Sequence, residues 1–204
     1  MVVLQRVGAA IAVFVLLGAA ACERKVMVYS LTYDAYDSSP VIVSEIRLFG
    51  DVADYAPLVA YGQANLMAPR GPGANLRFLT TPMPSPVEIQ IEWTELLTGR
   101  AYTAGVTAEL DSFDLRRAVN GYSISITPVF GPNGLLIIAS DPIPTNAETI
   151  ETNDVVKICG TRLASADKDW RSDTDKDTIL GHDIGYAYEF AKPQAGIPEC
   201  PYLE

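Results

Sequence analysis

The 204-residue chain has one histidine and three cysteines, with no Cys-x-x-Cys spacing. Zinc sites draw their ligands mainly from thiolates and imidazoles at short, regular spacings, so the composition argues against a zinc centre. A hydrolytic triad would have only His182, beside Asp183, as its imidazole, and the chain holds no Gly-x-Ser-x-Gly elbow. Gly181-His182-Asp183 therefore reads as a turn. Basic residues are scarce: Lys+Arg 15 stand against Asp+Glu 25, a formal net charge of −10. Phosphate backbones are held by Lys and Arg that displace counterions, which argues against nucleic acid and against an anionic membrane surface held by charge. The acidity either keeps the protein soluble or draws a basic partner protein. Gly71-Pro72-Gly73 is not followed by a helix pattern, and no nucleotide fingerprint occurs, so no cofactor is expected. Internal repeats and a sustained helical period are both missing. No apolar run reaches the ~20 residues of a comfortable membrane span.

The N-terminus is the most informative stretch. Arg6 is the only charge before Glu23, and every residue from Val7 to Ala21 is apolar or glycine. That run of about 15 residues would be about 22 Å long as a helix. A positive start, a short apolar centre and a small-residue exit make residues 1–21 a signal peptide, and leave residues 22–204 as a single domain. Removing Arg6 takes the net charge from −10 to −11.

Leu17-Gly18-Ala19-Ala20-Ala21-Cys22 resembles the lipobox of bacterial lipoproteins. The resemblance implies acylation of the Cys22 thiol, cleavage just before it and acylation of the new amine, so that a lipid bilayer is one partner. Ala20 and Ala21 match the small residues of that motif, whereas Ala19 stands where leucine is commoner. The other reading is an ordinary secretory signal cut near Ala21. Several acyl chains anchor firmly, each buried CH₂ contributing ~0.8 kcal/mol. In that family an aspartate after the cysteine favours inner-membrane retention. Glu23 therefore points to the outer membrane, facing the periplasm. Glu23-Arg24-Lys25 spans only ~10 Å when extended, which places the folded body close to the bilayer.

With Cys22 reserved for lipid, Cys159 and Cys200 remain, an even pair in an oxidising compartment. They are expected to form a disulfide that closes a loop of about 42 residues, contributing roughly 4 kcal/mol, and that staples a looped C-terminal part, residues 143–204. Two separate thiols are the alternative.

The body reads as β structure. Residues 26–33 form a first strand, with Met27, Tyr29, Leu31 and Tyr33 on one face. Residues 41–49 form a second, with Ile42, Ser44, Ile46 and Leu48 together. Residues 50–75 read as a long surface excursion, followed by a short strand at 76–79. Val87, Ile89, Ile91 and Trp93 alternate with Glu88, Gln90 and Glu92. Such alternation marks a strand that is buried on one face only. Thr98-Gly99 turns it into a partner carrying Tyr102, Ala104, Val106, Ala108 and Leu110. Residues 111–119 suggest one or two helical turns capped by Asp111 or Ser112, docking Phe113 and Leu115. A second hairpin follows, with Gly131-Pro132-Asn133-Gly134 at its turn and a return strand, 135–139, apolar on both sides. Residues 155–159 and 185–190 complete the strands. The fold class is mainly β: an antiparallel β-sandwich, immunoglobulin-like or related, of seven to nine strands with few short helices.

Asp173, Asp175 and Asp177 alternate like the first three ligands of an EF-hand calcium loop. Thr178 stands where that loop needs glycine and Ile184 where it needs a bidentate glutamate. Calcium binding would have to recruit Asp167, Asp169 or Asp183; otherwise this is a solvated acidic loop. Ten tyrosines are present, several near the first strand (Tyr29, Tyr33, Tyr36, Tyr55, Tyr61), serving either the core or an interface.

The lipobox cysteine, the early strand, the Pro40–Phe49 turn and strand, and Pro84-x-Pro-Val-Glu-Ile-x-Ile-x-Trp93 leading to Tyr102 together resemble a family of small bacterial lipoproteins. The likeness spans residues 17–110. Some members of such families are similar to periplasmic immunity proteins of type VI secretion lipase effectors. The resemblance implies a non-enzymatic, lipid-anchored protein that binds another protein, and it transfers no binding residue. An envelope structural or assembly lipoprotein is the alternative, and a metal-dependent enzyme is disfavoured by the missing ligands.

Overall fold

A computed structural model describes residues 26–31, 33–36, 38–54, 57–60, 76–79, 85–118, 121–140, 153–175, 184–191 and 200–201. The strands, in chain order, are β1 (Val26–Leu31), β2 (Asp34–Ala35), β3 (Val41–Leu48), β4 (Asp51–Asp54), β5 (Leu58–Ala60), β6 (Leu76–Leu79), β7 (Val87–Glu95), β8 (Ala101–Ala108), β9 (Arg116–Ala118), β10 (Gly121–Gly131), β11 (Leu135–Ser140), β12 (Asn153–Cys159) and β13 (Thr161–Arg162). Among the described residues a short α-helix, α1 (Gly185–Phe190), follows. The fold is mainly β, two sheets packed as a sandwich. The first sheet runs β12-β11-β10-β1-β6, with β2 and β9 also on β10; the second runs β13-β8-β7-β3-β4, with β5 also on β3. Most pairings are antiparallel, but β1 and β2 run parallel to β10. The excess over seven to nine strands consists of the two- to four-residue pieces β2, β4, β5, β9 and β13. Among the described residues no helix is long and apolar enough to cross a membrane.

Hydrophobic alternation sets the interior. Val87, Ile89, Ile91 and Trp93 of β7 are buried, as are Tyr102, Ala104, Val106 and Ala108 of β8, paired from Val87↔Ala108 to Thr94↔Ala101. They meet Ile124, Ile126 and Phe130 of β10 and Leu136 and Ile138 of β11 across the sandwich. Each fully buried aliphatic or aromatic side chain contributes about 1.5–3 kcal/mol, set against the entropy of ordering the chain. β11 is buried at all six positions between β10 and β12, as its doubly apolar sequence predicts.

Four local expectations are corrected. In β3 the residues facing the main core are Val41, Val43, Ile46 and Leu48; Ile42 faces the other way and Ser44 is exposed. A register shift between Val43 and Glu45 inserts one extra residue against β7 and moves the alternation out of phase. Within the expected excursion of residues 50–75, β4 and β5 pair with β3; residues 61–75 lie outside the described set. The helical turns expected at 111–119 reduce to a single 3₁₀ turn at Leu110–Ser112, which follows Glu109 and has no side-chain cap. The next residues become β9, because Arg116 to Ala118 find ladder partners in Ser123 to Gly121, whereas a nine-residue helix on its own is marginal. Phe113 is buried as expected. Residues 185–190 are helical rather than a last strand. Ile184, Ala187 and Tyr188 share one helical face, and that face packs on Ile42, Leu96 and Trp170.

Each outer face thus carries an apolar cluster of its own. Outside β10 and β11, Tyr36, Val129, Leu135, Ile137 and Ala139 close around Cys200. Outside β3, α1 and Trp170 cover Ile42. Cys200 is bridged to Cys159 at the end of β12, with S–S 2.03 Å and Cα–Cα 5.7 Å.

Candidate binding surface

The sequence-derived candidates do not converge on one site. Cys159 and Cys200 are bonded to each other. Cys22, Asp177, His182 and Asp183 lie outside the described residues. Asp173 pairs with Lys168 Nζ at 2.6 Å and accepts the Asp175 amide at 2.9 Å. Asp169 accepts the Arg171 amide at 3.0 Å. Among the described residues no group of three or more His, Cys, Asp and Glu is placed to hold a metal ion. The carboxylates of Asp169 and Asp173 are engaged in folding this loop back on itself.

Asp167 makes the firmest of these contacts. Both of its carboxylate oxygens meet the Arg162 guanidinium, and Oδ1 also accepts the Ala101 amide at 3.0 Å. Arg162 in turn donates to the Ala101 carbonyl at 2.9 Å and lies over the Tyr102 ring. The Arg162 guanidinium, helped by the Ala101 amide, lowers the Asp167 carboxyl from 3.8 to about 2. A carboxylate depressed on folding contributes fully above its unfolded value, and the contribution fades as pH falls from about 4 towards 2. Asp167→Asn should therefore lower stability at neutral pH by less than about 1 kcal/mol, because the pair is solvent-screened. The difference from the parent should shrink as pH falls from about 4 and be mostly lost near pH 2 in urea titrations. A difference that persists unchanged at that pH would contradict the assignment.

Above this loop the two sheets are joined. Glu95, buried at the end of β7, accepts the Gly134 amide on Oε1 at 2.9 Å and the Thr98 hydroxyl on Oε2 at 2.6 Å. Gly160 donates its amide to the Gly134 carbonyl at 2.8 Å. Gly134 has φ +78°, and a Cβ there would lie 2.5 Å from Tyr102 Cδ1, so glycine is required. Burial, with Glu95 nearby, raises the Tyr102 hydroxyl above its ordinary pKa. The inward role of Glu95 was missed in the sequence. The signal was its parity with Trp93, which aims it into the sandwich.

The uncovered part of the second sheet is polar. Glu45 and Arg47 of β3, Gln90 and Glu92 of β7, and Thr103 and Gly105 of β8 line an open concavity of about 400 Å³. Glu45 pairs with Arg47, and that hydrogen bond holds its carboxyl below the ordinary value. Cross-strand register sets Glu45 beside Glu92 and Glu92 beside Thr103; the adjoining row is Arg47, Gln90 and Gly105. The second row ends at a residue with no side chain, which hollows the face toward its β8 side. Carboxylates, an amide and a hydroxyl on a rigid sheet are suited to hydrogen bonding and charge recognition. No family model, no curated protein and no solved structure matches this chain.

Proposed function

We propose that this chain is an exported lipoprotein, anchored through acylated Cys22 on the periplasmic side of the outer membrane, that acts by binding another protein rather than by catalysis. The resemblance of its N-terminal half implies a secreted effector as the partner, with immunity as the outcome. One observation carries the reading. The Cys159–Cys200 bridge suits an oxidising compartment and leaves Cys22, at the end of the apolar run, as the odd cysteine. The sandwich supports it further by offering a polar, hollowed sheet face beside a well-packed core.

Cys22→Ser should abolish radioactive palmitate incorporation and move the protein from the membrane to the soluble envelope fraction. Undiminished labelling would place the lipid elsewhere and remove the anchoring argument. For the partner, the expected result is that the exported chain protects cells from an effector lipase encoded beside it. Failure to protect would leave the immunity role without support.

A further inference from the structure

The geometry points to the open edge of β8 as the place where a partner adds a strand, and to a basic, extended peptide segment running antiparallel to β8 as the occupant. This rests on the protein-binding reading above and specifies its contact.

Ala101 shows which way the edge faces. Its amide donates to Asp167 Oδ1 and its carbonyl accepts from Leu163, both away from β7, whereas the Arg100 carbonyl accepts from Glu95 of β7. Backbone groups of an antiparallel strand alternate sides, so Thr103, Gly105 and Thr107 also present theirs away from β7. Among the described residues only the first part of this edge is paired. β13 pairs Thr161 with Thr103 and Arg162 with Tyr102, and the chain turns off at Gly160 toward Gly134. Among the described residues no strand lies beside Gly105 and Thr107. Both are exposed.

Charge selects the occupant. Glu45, Glu88 and Glu92 project from the outer face of the sheet near this edge, whereas Arg47 and Arg162 are already paired with Glu45 and Asp167. In an added antiparallel strand, the residue opposite Gly105 would be in a hydrogen-bonded pair. Its side chain would lie on the same face as Gln90 and Glu92. With strands about 4.8 Å apart, a lysine or arginine laid across the missing Gly105 side chain reaches the Glu92 carboxylate. A second copy of this chain fits poorly, because pairing β8 with β8 would set two such carboxylate rows on one face of a chain with net charge −10.

The test uses the full chain in detergent micelles and a fluorescent nine-residue peptide of alternating lysine and threonine. Binding by anisotropy is expected, with shifts of the Gly105 and Thr107 amide resonances. A glutamate–threonine counterpart should not bind. N-methylation at the lysine residues, whose amides face β8 in this register, should weaken binding at least tenfold. N-methylation at the threonines should leave it nearly unchanged. Gly105→Lys should also weaken it at least tenfold, and the variant should fold, since a Cβ at Gly105 meets nothing within 4 Å. Equal binding of both methylated peptides, no binding of the basic peptide, or self-association through β8 would each overturn the proposal. Should a partner still cross-link undiminished to Gly105→Lys in membranes, the edge assignment fails while the protein-binding reading stands. Loss of that reading is detected separately, by the absence of any cross-linked partner for the parent chain.

Discussion

Trp93→Ala is expected to cost about 3–5 kcal/mol. Native domains are stable by only about 5–15 kcal/mol, so this is a large share. At roughly 2–4 °C per kcal/mol for a protein of this size, the midpoint of thermal unfolding should fall by about 6–20 °C. The size of the effect follows from where the indole lies. Trp93 is fully buried, stacked on Tyr102 at 5.7 Å between centroids and tilted against Phe130 at 5.4 Å. Gly160 closes over it so tightly that a Cβ there would stand 2.4 Å from Cη2. Truncation would therefore empty a volume bounded by β7, β8, β10 and the corner between β12 and β13, with little able to collapse into it. Trp93→Phe should cost clearly less. It keeps most ring contacts and removes an indole N–H that has no hydrogen-bond partner among the described residues. Urea unfolding followed by circular dichroism gives both numbers. A loss under about 1 kcal/mol for the alanine variant would show that the ring is not packed as described.

Removing the Cys159–Cys200 bridge should have an effect of similar size. The cysteines are 41 residues apart in sequence, and closing a loop of that length is worth about 4 kcal/mol in the chain-entropy account, with losses of about 2–5 kcal/mol typical. The bridge also holds Cys200 against Tyr36, Val129, Leu135, Ile137 and Ala139. Its loss should loosen the cover of the β10–β11 outer face as well as destabilise the whole. The double variant Cys159→Ala/Cys200→Ala should melt lower than the parent by the same interval as parent protein treated with reductant, and both should bind an apolar-surface dye more strongly. If the double variant melts with the parent, the bridge stabilises nothing.

The sequence made the sandwich legible where one face of a strand meets water. β7 and β8 follow from the spacing of Val87, Ile89, Ile91 and Trp93 and of Tyr102 to Ala108, and the pairing of Cys159 with Cys200 follows from cysteine count once Cys22 is set aside. Where alternation is interrupted by geometry, it misleads. The extra residue at Ser44 exchanges the faces of half of β3, and nothing in the local sequence marks it. Gly-Tyr-Ala-Tyr-Glu-Phe reads equally well with period two or 3.6; a helix forms because Ile42, Leu96 and Trp170 provide a surface for Ile184, Ala187 and Tyr188. β4 and β5 are too short to stand out from the Gly, Pro and Asn around them. The candidate surface was least legible. Its residues lie on three strands, Arg47 and Gly105 being 58 positions apart by their numbers, and only cross-strand register brings them into one row.

The place of β1 bears on how the molecule comes into being. Its apolar hexapeptide is made early, yet its parallel neighbour β10 ends at Gly131, about a hundred residues later. At roughly 5–20 residues per second of synthesis, a sticky Val-Met-Val-Tyr-Ser-Leu segment waits about 5–20 s without that strand. Bare β-prone stretches of this kind assemble with one another, and β6 is the neighbour of β1 that is made before β10. Until β10 arrives, β1 can close only one of its two edges, the one that meets Leu76–Leu79 of β6.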